Sequence, residues 1–382
     1  MKNIAIIGAS YLQLPLINKA KQLGYITHVF AWKANDVGEK EADFFYPISI
    51  VEKEKILEKC REIEIDAISS IGSDLAIITV NYVAQNMGLL SNDLECTNKS
   101  TNKNLMRKCF AENNDPSPKS LLVESTDDIK EDISFPIIVK PLDRSGSRGI
   151  TKLYDNNELD EAIDVAKKEG FEKKALIEEF IEGQEYSVEC ISFEGKHQFL
   201  QLTYKYTTGS PHFIEIAHLE PAPVSNILLE KIIKIVFHAL DSLGIKYGAS
   251  HSEIKIDDNG NIKIIEIGGR MGGDMIGSSL VHLSTGYDYV ENVINISLNN
   301  KPTLYERLSN KYSAVIYIFD KNDLNKLDEI KKEDSGILVE YEVFDDCNDK
   351  ITDSSNRHGY FIICSDDKNK IYKYLPNCPI ER

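Results

Sequence analysis

GASHSEIKIDDNGNIKIIEIGGRMGGD, residues 248 to 274, consists of two short apolar-alternating runs on either side of DDNG. If Asn259-Gly260 is a two-residue type I′ turn, the runs close into a tight hairpin. That register pairs 258 with 261 and therefore Glu253 with Glu266. Like charges directly opposite one another destabilise a sheet, so something must offset the repulsion. A divalent cation does so, and Mg²⁺ is commonly held by one or two carboxylates plus nucleotide phosphates. Arg270 follows four residues after Glu266, and Gly272-Gly273 follows that. The group thus offers metal ligands, a guanidinium for an oxyanion and backbone that a ligand can approach. In isolation such a hairpin reads as solvated, with two outward glutamates. The surrounding chain decides between the two readings.

At 382 residues the chain is long for one core and suggests two or three domains. Its longest apolar runs are far short of a membrane span, so no membrane partner is expected. MKNIAIIGAS enters a strand-like run directly, with no signal-peptide pattern. Seven scattered cysteines with no CxxC fit reduced thiols in a cytoplasm better than a disulfide framework or zinc site. The formal charge of −17 argues against nucleic acid. An anionic ligand would need a local cluster of Lys, Arg and metal against that field.

Residues 1–95 alternate strands and helices: strands at Ile4–Gly8, Thr27–Trp32 and Ala67–Ile71, helices at Pro15–Leu23, Ile56–Ile63 and Leu75–Met87. This pattern indicates a parallel sheet. GASYLQ after the first strand is not GxGxxG, so no dinucleotide site is expected there. Ser70 to Asp74 follows a strand, where open α/β sheets bind ligands, and reads equally as a helix N-cap.

In 96–185, Thr97–Phe110 reads as one helix carrying Lys99, Lys103, Arg107 and Lys108. Phe135–Pro141 is a strand ending near Lys140. It runs into Asp143-Arg-Ser-Gly-Ser-Arg-Gly149, a Gly/Ser loop able to fold amides over phosphates. The loop is no Walker A, and a plain flexible hairpin is the alternative. Asn157–Lys168 reads as a helix with Gly170 at its left-handed C′ position. Ala175–Ile181 and Tyr186–Ile191 read as strands around a turn at Glu182-Gly183. Glu185 there could accept from two ribose hydroxyls or stand exposed. Ser225–Leu243 reads as a long helix packing behind the metal hairpin, which makes His238 structural. Tyr287–Leu298 is a further helix. Strands at Ala314–Phe319, Ile337–Phe344 and Gly359–Cys364 and a helix near Asp366–Tyr374 make a last module.

Taken in order, Lys103-x-x-Met106-Arg107, IVKP at Lys140, the Gly/Ser/Arg loop, EEFIEGQEYSVE, Glu253, and Glu266 with Arg270 resemble the ATP-grasp superfamily of carboxylate–amine ligases. The resemblance covers nearly the whole chain. The α/β and α+β fold it implies has a Rossmann-like pre-ATP-grasp domain (1–95), a mobile nucleotide lid (96–185), a metal and substrate subdomain (186–300) and a small C-terminal domain (301–382). It implies ATP and Mg²⁺, with Mn²⁺ as an alternative. By position Lys103 and Lys140 would hold phosphates, and Ser145, Gly146, Ser147, Arg148 and Gly149 would cover them. Glu178, Glu179, Phe180 and Ile181 would form the hinge whose backbone meets adenine, and Glu185 would bind ribose. Glu253 and Glu266 would bind the metal. Arg270 would stabilise phosphoryl and acyl oxyanions. Glu266-Ile-Gly268 departs from the usual Glu-x-Asn, so another group or water must replace that asparagine.

Within the superfamily the chain is most similar to bacterial L-amino acid ligases. TTGSPHFIEIAHLEPAP, from Thr207 to Pro223, resembles their substrate loop. Glu215 and His218 would touch the amino-acid substrate; His218 also reads as a loop-packing histidine, and His212 and His251 are weaker candidates. The resemblance implies an ADP-forming ligase that joins a small-molecule carboxylate to an amine, and a homodimer would be in keeping with the fold. A purine-pathway or bicarbonate-using ligase, or a nucleotide-binding protein without catalysis, is the alternative.

Overall fold

The protein is described by a computed structural model for residues 1–130, 132–142, 149–209 and 213–382. Three sheets organise it. Strands β1 (Asn3–Ile7), β2 (Ile26–Ala31), β3 (Phe44–Pro47) and β4 (Ala67–Ser69) form a parallel sheet in the order β3-β2-β1-β4. Ile4, Ala5, Ile6 and Ile7 are all buried, as a strand covered by helices on both faces requires.

The second sheet is antiparallel, in the order β5 (Ser120–Val123), β8 (Ala175–Glu179), β6 (Ile137–Pro141), β7 (Thr151–Leu153). Leu159, Ala162, Ile163 and Ala166 of the helix Leu159–Glu169 close its core. That helix ends differently from the expectation. Gly170 is extended (φ −72°, ψ 148°) rather than left-handed.

The third sheet has eight strands: β13 (Ile262–Gly268), β12 (Gly248–Ile256), β9 (Gln184–Phe193), β10 (Lys196–Thr207), β11 (Glu215–Glu220), β14 (Tyr312–Tyr317), β16 (Gly359–Ser365) and β15 (Leu338–Val343). The strands of the C-terminal segment therefore continue the sheet that carries the hairpin. The helix Asn226–Leu243 is capped by Ser225 and ended by left-handed Gly244. Its Ile232, Val236, Ala239 and Leu240 share a core with Ile254, Ile256, Ile262 and Ile264 of the hairpin, so it does pack behind it.

Two local departures position the site. The helix expected over Thr97–Phe110 is two helices, Leu94–Thr101 and Lys103–Glu112. Asn102 is extended between them, and its side chain accepts from Leu105 N–H. An Asn side chain that offers the backbone this bond favours a cap over a helix interior. The break puts Lys103 at the first residue of a new helix, buried and facing the cleft. The hairpin turn is also not the two-residue type. Gly260 N–H donates to Asp257 O, Asp257 N–H donates to Asn261 O, and Gly260 is left-handed (φ 74°). This is a three-residue loop, and it pairs Ile256 with Ile262. A bulge between Glu253 and Ile254 then shifts the register by one, restoring Glu253 opposite Glu266.

Candidate active site

The three sheets meet at a cleft of about 400 Å³. Along β12 the period of two sends His251, Glu253 and Lys255 to the cleft face; Glu266 and Gly268 do the same on β13. Lys205 of β10 and Glu185 at the start of β9 extend that face. The second sheet contributes Lys140 and Glu178, the segment after β8 contributes Phe180 and Ile181, and the first unit contributes Asp74.

Glu253 and Glu266 stand opposite each other, each with a lysine upon it. Lys205 Nζ is 2.6 Å from Glu253, and Lys103 Nζ is 2.8 Å from Glu266. Burial favours the neutral form of Glu253, but Lys205 and His251 outweigh it and hold the carboxyl well below the usual range. Burial likewise opposes the charge on Lys205. Glu185 (2.8 Å), Glu253 and Glu215 (3.8 Å) outweigh it and hold the ammonium well above its ordinary value. Two carboxylates, register-paired in a cleft and each already drawing a cation, are a donor set suited to Mg²⁺ or Mn²⁺.

Lys140 and Glu178 form a second charged node. Glu178 is reached by Lys140 Nζ (2.6 Å) and by Arg107 Nε (2.8 Å) and Nη2 (3.3 Å). Burial pushes Lys140 below the usual lysine value, against the pull of Glu178. Burial also works against charge on Glu178, yet Lys140 and Arg107 hold its carboxyl at about 2. The expected adenine hinge is only partly placed as anticipated. Glu178 lies inside β8, paired with both β5 and β6, so its backbone is committed to the sheet and its side chain to the two cations. Phe180 and Ile181 lie beyond the strand and line the cleft. Lys152 Nζ sits 3.4 Å from the Phe180 ring centroid, and Lys255 donates to Ile181 O at 3.3 Å.

Arg270 Nε and Nη2 donate to the two oxygens of Asp74, each at 2.8 Å. His218 is fully buried in β11, 3.9 Å from Asp274 and edge-on to Tyr317. Burial lowers its pKa, with Asp274 opposing. Glu215 accepts from Ser354 Oγ (2.9 Å) and Arg357 (3.0 Å). Both candidates line the cleft.

The structure thus brings Lys103, Lys140, Glu178, Glu179, Phe180, Ile181, Glu185, Glu215, His218, Glu253, Glu266 and Arg270 to one cleft. Gly149 lies outside its lining. Ser145, Gly146, Ser147, Arg148 and His212 lie outside the described residues. Sequence reasoning missed Lys205, Glu189 and Arg357. Lys205 left a signal, a charge in the alternating run LTYKYT. Glu189 pairs with His251 Nδ1 and accepts from Gly272 N–H (3.0 Å), contacts that only the fold reveals. His251, a weaker candidate, proves to be a cleft residue that Glu189 holds at a pKa of about 9 despite burial.

Residues 133–278 match the ATP-grasp domain family. The chain carries an ATP-grasp domain. The matched span runs from just before β6, the strand that carries Lys140, to just past Arg270. Alanine–anticapsin ligase from Bacillus subtilis (strain 168) is 26% identical over 276 residues, which is 63% of this chain and 58% of that protein. Dapdiamide A synthase from Enterobacter agglomerans is 26% identical over 196 residues, 48% of this chain and 45% of that protein. This chain thus spans less than two thirds of the curated relatives it matches. The ATP-grasp fold itself extends further. The crystal structure of L-amino acid ligase from Bacillus licheniformis superposes with a TM-score of 0.84 at 23% identity, covering 98% of this chain and 96% of that one. Phosphoribosylglycinamide synthetase from Anaerococcus prevotii gives 0.77 at 21% identity, over 97% and 96%.

Proposed function

We propose that this protein is an ADP-forming carboxylate–amine ligase that activates an amino-acid carboxylate as an acyl phosphate and joins it to an amine. The observation that carries the reading is the convergence of Glu253, Glu266, Arg270, Lys103 and Lys140 on one cleft. The names of the relatives, ligases of amino acids, support the same substrate class.

In this reading ATP lies between the second sheet and the large sheet, its base near Phe180 and Ile181 and its ribose at Glu185. Lys103 and Lys140 hold phosphates. Glu253 and Glu266 hold Mg²⁺ or Mn²⁺, which when bound neutralises phosphate charge and orients the transferring phosphoryl. A carboxylate is a poor acyl donor because oxide is a poor leaving group. Its phosphorylation by ATP supplies a good one and releases ADP. The amine then attacks the acyl carbon, phosphate departs, and an amide forms. Arg270 meets negative charge in both steps, on the phosphoryl oxygens and then on the tetrahedral oxyanion. Glu215 and His218 contact the amino-acid substrate. Closure of the second sheet over the cleft keeps water from the acyl phosphate.

The test is ADP and phosphate release from Mg²⁺-ATP across single and paired amino acids, with mass spectrometry of the mixtures. Release that requires a particular pair, with a condensed product, is expected. ADP release that no amino acid stimulates would refute the substrate class.

A further inference from the structure

Arg270 does not aim itself. Nε and Nη2 donate to the two oxygens of Asp74 at 2.8 Å each, and Nη1 donates to Met271 O at 3.3 Å. A guanidinium has five N–H donors, so this leaves one on each terminal nitrogen for the cleft that Arg270 lines. Two parallel bonds between planar groups fix orientation as well as position. The carboxylate comes from another unit of the fold. Asp74 is the first residue of the helix Asp74–Met87, fixed there because Ser73 caps the helix by accepting from Ala76 N–H. The loop before it docks on the arginine loop, with Gly72 N–H donating to Met271 O at 3.2 Å.

Gly268 completes the arrangement. A Cβ on Gly268 would stand 2.7 Å from Asp74 Oδ1 and 3.2 Å from Arg270 Nε. Its backbone is not left-handed, so the glycine is not explained by conformation. It is explained by the space that the Asp74–Arg270 pair fills. The colliding atom is a side-chain oxygen, so an added methyl displaces the carboxylate rather than the sheet.

We propose that Asp74 is the positioning residue of the catalytic arginine and that Gly268 is the space this pairing requires. One carboxylate of the N-terminal unit thereby sets the aim of Arg270 on the transferring phosphoryl group. The inference rests on the ligase reading above.

The test uses the full chain with Mg²⁺, ADP and fluoroaluminate, a mimic of the transferring phosphoryl group, followed by ¹⁹F NMR and by calorimetry of ADP alone. Asp74→Ala should weaken the fluoroaluminate complex on the order of a hundredfold, the cost of a misplaced catalytic group. ADP affinity should stay within about threefold, because Asp74 does not hold the nucleotide. Asp74→Asn, which keeps one acceptor for the guanidinium, should fall between. Gly268→Ala should reproduce the Asp74→Ala loss, and adding it to Asp74→Ala should cost little more, because the atom it displaces is gone. Where an amino-acid pair gives turnover, kcat should fall in parallel while KM for ATP holds. An Asp74→Ala protein that keeps the wild-type fluoroaluminate signal, or loses ADP affinity equally, overturns the proposal alone. A wild-type chain that gives neither the signal nor turnover overturns the ligase reading and the proposal with it.

Discussion

Glu178→Gln is the sharpest test of what holds the second sheet to the rest of the molecule. Its carboxylate takes Arg107 from the helix Lys103–Glu112 and Lys140 from β6, so it ties three elements at one point. The three side chains are 3–8% exposed, so solvent screens little of the interaction. A carboxyl held at about 2 instead of 4.5 stabilises the fold by about 3 kcal/mol, at about 1.4 kcal/mol per tenfold. Removing one partner of a buried ion pair costs a comparable 3–5 kcal/mol or so, because the remaining charge is stranded. Glutamine keeps the shape and one acceptor but strands two cations. Urea unfolding followed by circular dichroism measures the loss; Trp32 is 71% exposed and a poor reporter. The folded pKa is depressed, so the stabilisation is complete above about 4.5 and is lost as pH falls toward 2. The gap between wild type and variant should therefore be about 3 kcal/mol at pH 7 and narrow on acidification. A gap under about 1 kcal/mol at neutral pH, typical of an exposed pair, refutes the argument. So does a gap that does not change with pH.

Glu253→Gln and Glu266→Gln should each abolish ADP release while leaving the circular dichroism spectrum unchanged; wild-type activity in Glu266→Gln would remove it from the metal site. Chelation by EDTA should abolish tight ATP binding measured by calorimetry, and Mg²⁺ or Mn²⁺ should restore it. Gly183→Ala should lower the unfolding temperature sharply, at a cost of roughly 2 kcal/mol or more, because Gly183 is left-handed (φ 118°) and an added Cβ would stand 2.3 Å from Ile256 O, a backbone atom of β12 that cannot swing aside.

The fold was legible where burial and caps speak locally. IAII, the helix that ends at Gly244 and the alternating hairpin runs were readable because one face or both are buried. The pairing of Glu253 with Glu266 was read correctly through a turn that proved longer. The three-residue loop slips the register, and the bulge between Glu253 and Ile254 slips it back, so two local features cancel. A bulge has no side-chain signature here, since Ile264 and Ile265 are alike in chemistry. The break at Asn102 was missed because the charged and apolar spacing runs through it without interruption. Lys205 and Glu189 were hidden for a different reason, and Asp74 stood in a stretch, Ser70 to Asp74, that read equally as a ligand contact or a helix cap. The meaning of all three lies in what the fold brings opposite β10, β9 and the helix Asp74–Met87, at separations of tens to hundreds of residues.

Those hidden residues change the electrostatic account of the site. From sequence, Lys103, Lys140 and Arg270 read as a cationic patch waiting for phosphate. In the structure each is already neutralised: Lys103 by Glu266, Lys140 by Glu178, Arg270 by Asp74. Lys205, a further ammonium of the cleft, is shared by three carboxylates. Among the described residues these four cations are already paired, so in a chain of formal charge −17 they are no strong attractor for a bare polyanion. Adding ATP and a divalent cation together is another matter. On the ligase reading proposed above, a metal on Glu253 and Glu266 would free Lys103 and Lys205 to turn to oxygen atoms of the ligands, and its charge would offset part of the nucleotide's. Binding would then be an exchange of ion pairs, in which each partner leaves one opposite charge for another. On that reading the metal would be a condition of tight nucleotide binding, and the lysines would rest on the two carboxylates until both ligands arrive.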